Sequence, residues 1–186
     1  MVKIITKWLY LEPFVKTDEW LHLADVSRQL KEPHPTVRNY LNYFEKKALL
    51  IKQVKGRLTI YRLNKNNPLL IHYLVLVEKE RLIAACEDLL IQEFVSFLDK
   101  HIDENTKVIL FGSSVENSRK AEDLDLIISG DVDFKDKLKD FEDKFNKKIH
   151  LINVKNLHDI TDTLKKEIIK KHIIINGVEE VIKWLI

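Results

Sequence analysis

The chain has 186 residues, enough for one large or two small domains, and its 45% hydrophobic content excludes a disordered segment. Its 31 Lys and Arg against 29 Asp and Glu leave a net charge of only +2, but the charges are segregated: residues 1–66 carry 13 basic against 6 acidic side chains, giving +7, and residues 67–186 therefore carry −5. The N-terminus has no hydrophobic signal core, no stretch approaches about 18 uninterrupted apolar residues, and the lone cysteine, Cys86, excludes a disulfide framework, so a cytoplasmic protein without membrane contact is expected.

Abundant Lys and Glu, with three glutamines and four glycines, suit a thermophile. Cys86 lies in an apolar helical stretch without catalytic neighbours and is assigned to packing.

In the basic N-terminal module (1–66), residues 22–30 place Leu23, Val26 and Leu30 at helical spacing. The Lys31-Glu32-Pro33-His34-Pro35 segment breaks that helix, and Pro35 suits the first turn of the next, predicted over 36–48 with Val37, Leu41 and Phe44 inward. Thr36, Arg38 and Asn39 fall at its start, from where a recognition helix reaches base edges and phosphates. Residues 51–54 and 57–63 predict a hairpin turning at Lys55-Gly56, with Lys52, Lys55, Arg57 and Arg62 as its cations. The order helix, Pro-containing turn, helix, basic hairpin resembles archaeal and bacterial winged helix-turn-helix regulators. That resemblance implies double-stranded DNA as partner, with Arg38 and Asn39 reading bases.

The polar stretch Asn64-Lys65-Asn66-Asn67-Pro68 opens a helical connector (67–100), one bent helix or two consecutive ones. Its apolar residues form more than one stripe and demand a second packing surface, so the connector is expected to support a homodimer.

The C-terminal domain (101–186) holds the chemistry. Val108 to Phe111 is a short β-branched and apolar run ended by Gly112, the pattern of a buried strand. Gly112, Ser113 and Ser114 then begin a turn in which backbone approaches an anion closely, helped by helix N–H groups if 114–120 open a helix. Residues 123–128 alternate as a strand, so Asp123 and Asp125 share a face. Two adjacent carboxylates repel unless a cation lies between them, and Mg²⁺ or Mn²⁺ with a nucleoside triphosphate suits such a pair.

The order strand, Gly-Ser, polar segment 114–122, Asp-x-Asp strand resembles the DNA polymerase β-type nucleotidyltransferases, above all the small prokaryotic minimal domains, over about residues 95–186. The resemblance implies phosphate binding by Gly112 and Ser113, metal binding by Asp123 and Asp125, and transfer of a nucleoside monophosphate from an NTP. It also implies a small helical partner protein of the toxin–antitoxin type. The family's third acid falls on the next strand, where 148–153 reads Lys-Ile-His-Leu-Ile-Asn, so His150 stands in its place. Asp131 and Asp133 replace that acid only if their loop folds back.

Further along, residues 155–171 predict a helix with Leu157, Ile160, Leu164 and Ile168 inward, 173–175 a strand, Asn176-Gly177 a turn and 178–186 an amphipathic end. His72, His101, His158 and His172 show no ligand spacing and receive no role. The fold class expected is α+β: a winged helix-turn-helix, a helical connector and a nucleotidyltransferase-like mixed sheet with helices. Two functions remain open, a DNA-targeted nucleotidyltransferase and a regulator whose inactive transferase-like domain senses nucleotide or dimerises.

Overall fold

The computed structural model describes residues 6–115, 118, 121–130 and 135–186. It is an α+β protein with two sheets and divides into two compact units, Met1–Val77 with Ile186, and Glu78–Leu185.

In the first unit a 3-10 turn, Lys7–Leu11, runs into α1 (Glu12–Val15), with Pro13 in the first turn. No element was expected there, yet Tyr10, Leu11, Phe14 and Val15 are buried, and Tyr10 stacks on Tyr40 with ring centroids 4.0 Å apart. Then come β1 (Leu21–His22), α2 (Leu23–Leu30), α3 (His34–Lys46), β2 (Leu50–Lys55) and β3 (Leu58–Leu63). His22 Nδ1 accepts the Ala24 N–H to cap α2, and Lys31, at φ 58°, ends the helix in the left-handed region. Pro33 caps α3, which begins two residues before the expected Thr36 because His34 and Pro35 already adopt its first turn. As expected, α3 buries Val37, Leu41 and Phe44, each side chain worth about 1.5–3 kcal/mol of transfer free energy. The hairpin turns at Gly56, whose φ of 60° favours glycine. Its second strand also pairs with β1, giving the order β1-β3-β2, a pairing too short to leave a periodic signal.

The connector is two helices, α4 (Leu70–Ala85) and α5 (Leu89–Asp99), and the division between the units falls within α4. Asp88 separates them by accepting from the N–H groups of Leu90 and Ile91, an N-cap that starts α5 afresh.

The second unit is a four-stranded mixed sheet of order β6-β5-β4-β7: β4 (Lys107–Phe111), β5 (Asp123–Ser129), β6 (Lys148–Val154) and β7 (His172–Asn176). Only the β5–β6 pair is parallel. Val108, Leu110, Leu124, Leu126 and Ile173 pack on one face against Ile91, Phe94 and Leu98 of α5 and Leu138 and Phe141 of α6 (Lys135–Phe145). Ile109, Ile127 and Ile174 alternate to the other face and are also buried, with α8 (Val178–Leu185) packed on β4 and β7. Covering both faces explains why 108–111 is continuously apolar.

The helix expected over 155–171 divides into a 3-10 turn, Leu157–Asp159, and α7 (Asp162–Lys170). Asn156 and Asp159 close a reciprocal capping box, Ile160 is extended, and Thr161 caps the new helix. The apolar spacing holds in part: Leu157, Ile160 and Ile168 are buried, and Leu164 is half-buried.

A buried polar cluster joins α4 to the sheet. Arg81 Nη1 lies 2.6 and 2.8 Å from the two carboxylate oxygens of fully buried Glu78, and Arg81 Nη2 donates to the His172 carbonyl. His172 Nδ1 donates to the Ile168 carbonyl at 2.7 Å. Thus His172, given no role by spacing, is a core residue in a satisfied network.

Candidate functional site

The end of β4 and the start of β5 set out the site. Phe111 pairs with Asp125, so the Gly112–Val115 turn leaves the sheet beside that carboxylate. Gly112 has a φ of 79° and donates its N–H to the Lys171 carbonyl. Ser113 is exposed, whereas Ser114 is buried and turns its hydroxyl back to the Phe111 carbonyl at 3.2 Å. Ser113 is therefore the hydroxyl of this turn that faces solvent. The helix considered for 114–120 falls largely outside the described residues, as do Asp131 and Asp133.

Leu124 and Leu126 of β5 enter the core, so alternation turns Asp123 and Asp125 to the other face, where each keeps about a third of its side chain exposed. The parallel register sets His150 opposite Asp125 and Lys148 opposite Asp123. His150 Nδ1 lies 3.1 Å from Asp123 Oδ2 and 3.5 Å from Asp125 Oδ1, with 62% of its side chain exposed. One ligand atom from each of Asp123, Asp125 and His150 lies within 4.8 Å of the others. Burial and the neighbouring Asp123 charge push the Asp125 carboxyl above its ordinary range, with His150 opposing them.

A cleft of about 710 Å³ opens beside this cluster, lined by Glu122, Asp123, Glu142, Asp143, Asn146, Lys147, Lys148 and His150. Glu142 is committed to the Ile149 N–H at 2.6 Å and Lys147 to the Ala121 carbonyl. Lys148 is an exposed cation that sequence reasoning passed over. Its signal was present, because it lies two residues from His150 on the same strand and so shares its face. The contribution of α6 to the cleft was not read from the sequence, where charged residues dominate 135–145.

This constellation lies inside the stretch, residues 90–182, that matches the family model for the nucleotidyltransferase domain, half of the chain. The chain belongs to the nucleotidyltransferase domain family. None of the curated proteins or solved structures compared with it matches. The donors fit a divalent cation: ligand atoms of two carboxylates and an imidazole lie within 4.8 Å of one another, and Gly112 leaves room for Asp125.

In the first unit, Arg38 and Asn39 are exposed in the early turns of α3 and Thr36 is half-buried. Lys52, Lys55, Arg57 and Arg62 are exposed on the hairpin. Two already have local contacts: Lys52 donates to Asn42 at 3.3 Å, and the Arg62 guanidinium lies 4.9 Å from the Trp20 ring centroid. Among the described residues, no helix is long and apolar enough to cross a membrane.

Proposed function

We propose that this nucleotidyltransferase domain binds an NTP with a divalent cation and transfers its nucleoside monophosphate to a hydroxyl on a protein or nucleic acid, with the first unit directing it to double-stranded DNA as a winged helix. The observation that carries the reading is the convergence of Asp123, Asp125 and His150 beside the Gly112–Ser113 turn, at the edge of an open cleft. The acceptor oxygen bonds to the α-phosphorus, the bond to the bridging oxygen breaks, and pyrophosphate leaves with that electron pair. The acceptor proton passes to a site carboxylate or to His150. Asp123 and Asp125 hold the cation, which offsets charge on the phosphates. Gly112 gives the turn its left-handed bend and leaves room for Asp125, Ser113 donates to a phosphate, and Lys148 adds a cation at the cleft wall.

The DNA half of the proposal rests on the +7 charge of residues 1–66, the exposed Arg38 and Asn39 on a helix that follows a tight turn, and the exposed cations of the hairpin. Leu69, just before α4, and Leu76 on it are seven residues apart and exposed, an apolar pair in the first unit that suits a homodimer.

A second reading is favoured by the 3.1 Å contact of His150 with Asp123: an imidazole held against that carboxylate in the place of a third acid leaves a nucleotide sensor without turnover. Calorimetry of each NTP with Mg²⁺ or Mn²⁺, on the native chain and on Asp123→Asn/Asp125→Asn, tests the site. Metal-dependent binding lost in the double variant is the expected result. NTP binding that needs no metal supports the sensor, and no binding to any NTP overturns both readings.

A further inference from the structure

We propose that the site selects a borderline first-row transition metal such as Zn²⁺ or Co²⁺ over Mg²⁺, with His150 Nδ1 as its third protein ligand. The inference rests on the reading above that Asp123 and Asp125 hold a cation.

The first argument is geometric. Two ligands each about 2.0–2.2 Å from one ion, at angles between octahedral and tetrahedral, lie about 2.8–3.6 Å apart. His150 Nδ1 stands 3.1 Å from an oxygen of Asp123 and 3.5 Å from an oxygen of Asp125, both inside that interval. The distances follow from the sheet rather than from a mobile loop, because β5 and β6 pair in parallel with Asp125 directly across from His150. The three ligand atoms lie within 4.8 Å of one another, so closing on one ion asks only that the two carboxylates rotate toward it from a fixed pair of strands.

The second argument is the donor set. Mg²⁺ demands oxygen ligands and resists losing water, and a neutral imidazole nitrogen competes poorly for it. Zn²⁺ and Co²⁺ accept imidazole readily while still taking carboxylates. The exposed side of His150 and the adjoining cleft leave further positions for water or phosphate oxygens, as a catalytic rather than a closed structural site requires. With Nδ1 on the metal, His150 is a ligand and not the proton acceptor, which leaves proton removal from the acceptor to a carboxylate or to metal-held water.

The test titrates the metal-free full chain with Zn²⁺, Co²⁺, Mn²⁺ and Mg²⁺ by calorimetry and records the visible spectrum of the Co²⁺ form. The native chain, His150→Asp and Asp123→Asn/Asp125→Asn are compared. The proposal expects one equivalent of Zn²⁺ or Co²⁺ bound more tightly than Mg²⁺, a Zn²⁺-to-Mg²⁺ preference lowered at least about tenfold by His150→Asp, and a changed Co²⁺ spectrum in that variant. Equal affinity for Mg²⁺, or a preference unaltered in His150→Asp, overturns histidine ligation and leaves the cation site standing. No cation bound to the native chain, or Zn²⁺ bound equally by the double aspartate variant, overturns both the inference and the reading beneath it.

Discussion

Asp125 lays its carboxylate across the bare Cα of Gly112, so closely that a Cβ at Gly112 would stand 2.5 Å from Asp125 Oδ2. The same glycine has a φ of 79°, so both backbone and space require the absence of a side chain. Gly112→Ala is expected to cost about 1–3 kcal/mol of stability and to weaken metal binding by displacing Asp125. Urea unfolding and metal titration of the variant measure the two effects. An unaltered midpoint would mean that the turn relaxes without strain.

Glu78 and Arg81 give a second prediction. Burial raises the Glu78 carboxyl, but Arg81 and His172 outweigh it and hold it below its ordinary value. Glu78→Gln removes the buried carboxylate that Arg81 and His172 hold and is expected to cost about 3–5 kcal/mol near neutral pH.

The pH dependence of that loss has a fixed sign. A depressed carboxyl contributes stability that is complete above its unfolded value, about 4.3, and lost as pH falls through its lower folded value. The gap between native and Glu78→Gln midpoints should therefore narrow on acidification below that range. A gap constant down to strong acid would show that Glu78 is neutral in the native state.

For the first unit, Arg38→Ala and Asn39→Ala are expected to lower DNA affinity and relax sequence preference, each by about 1–3 kcal/mol of discrimination. Removing Lys55 and Arg57 should weaken all sequences alike and reduce the salt slope by about 0.9 for each phosphate no longer neutralised. Fluorescence anisotropy over a salt series reads both. Substitutions in α3 without effect on affinity or preference would remove the proposed DNA role of that helix.

The exposed apolar pair of the first unit predicts that Leu69→Asp with Leu76→Asp converts a dimer to a monomer in sedimentation experiments, with helicity retained. A native chain that sediments as a monomer would count against pairing through this face.

Most of the second unit's elements were legible in the sequence because each carries a local rule. The apolar run 108–111, the alternation at 123–128 and the glycine between them announce strand, turn and paired carboxylates from nearest-neighbour chemistry alone. The helix of 135–145 was not read: α6 has Leu138, Phe141 and Phe145 at helical spacing, but charged residues dominate its length. The single turn at 157–159 was hidden too, because its apolar spacing matched the helix that follows. Local pattern paired Asp123 with Asp125, the family resemblance pointed to His150, and neither assigned His172 anything.

What the sequence determined by itself was which residues are strand-borne, which face Asp123 and Asp125 share, and where the chain must turn, since these depend on side-chain period and on glycine's freedom of φ. What only the tertiary structure decided was the register of β6 on β5, the cleft wall supplied by α6, the inward turn of Ser114 and the burial of Glu78 with His172. The register of β6 on β5 joins residues 25 positions apart and the Glu78–His172 contact residues 94 apart, and neither distance across a sheet nor the direction of a hydroxyl leaves a periodic mark along a chain.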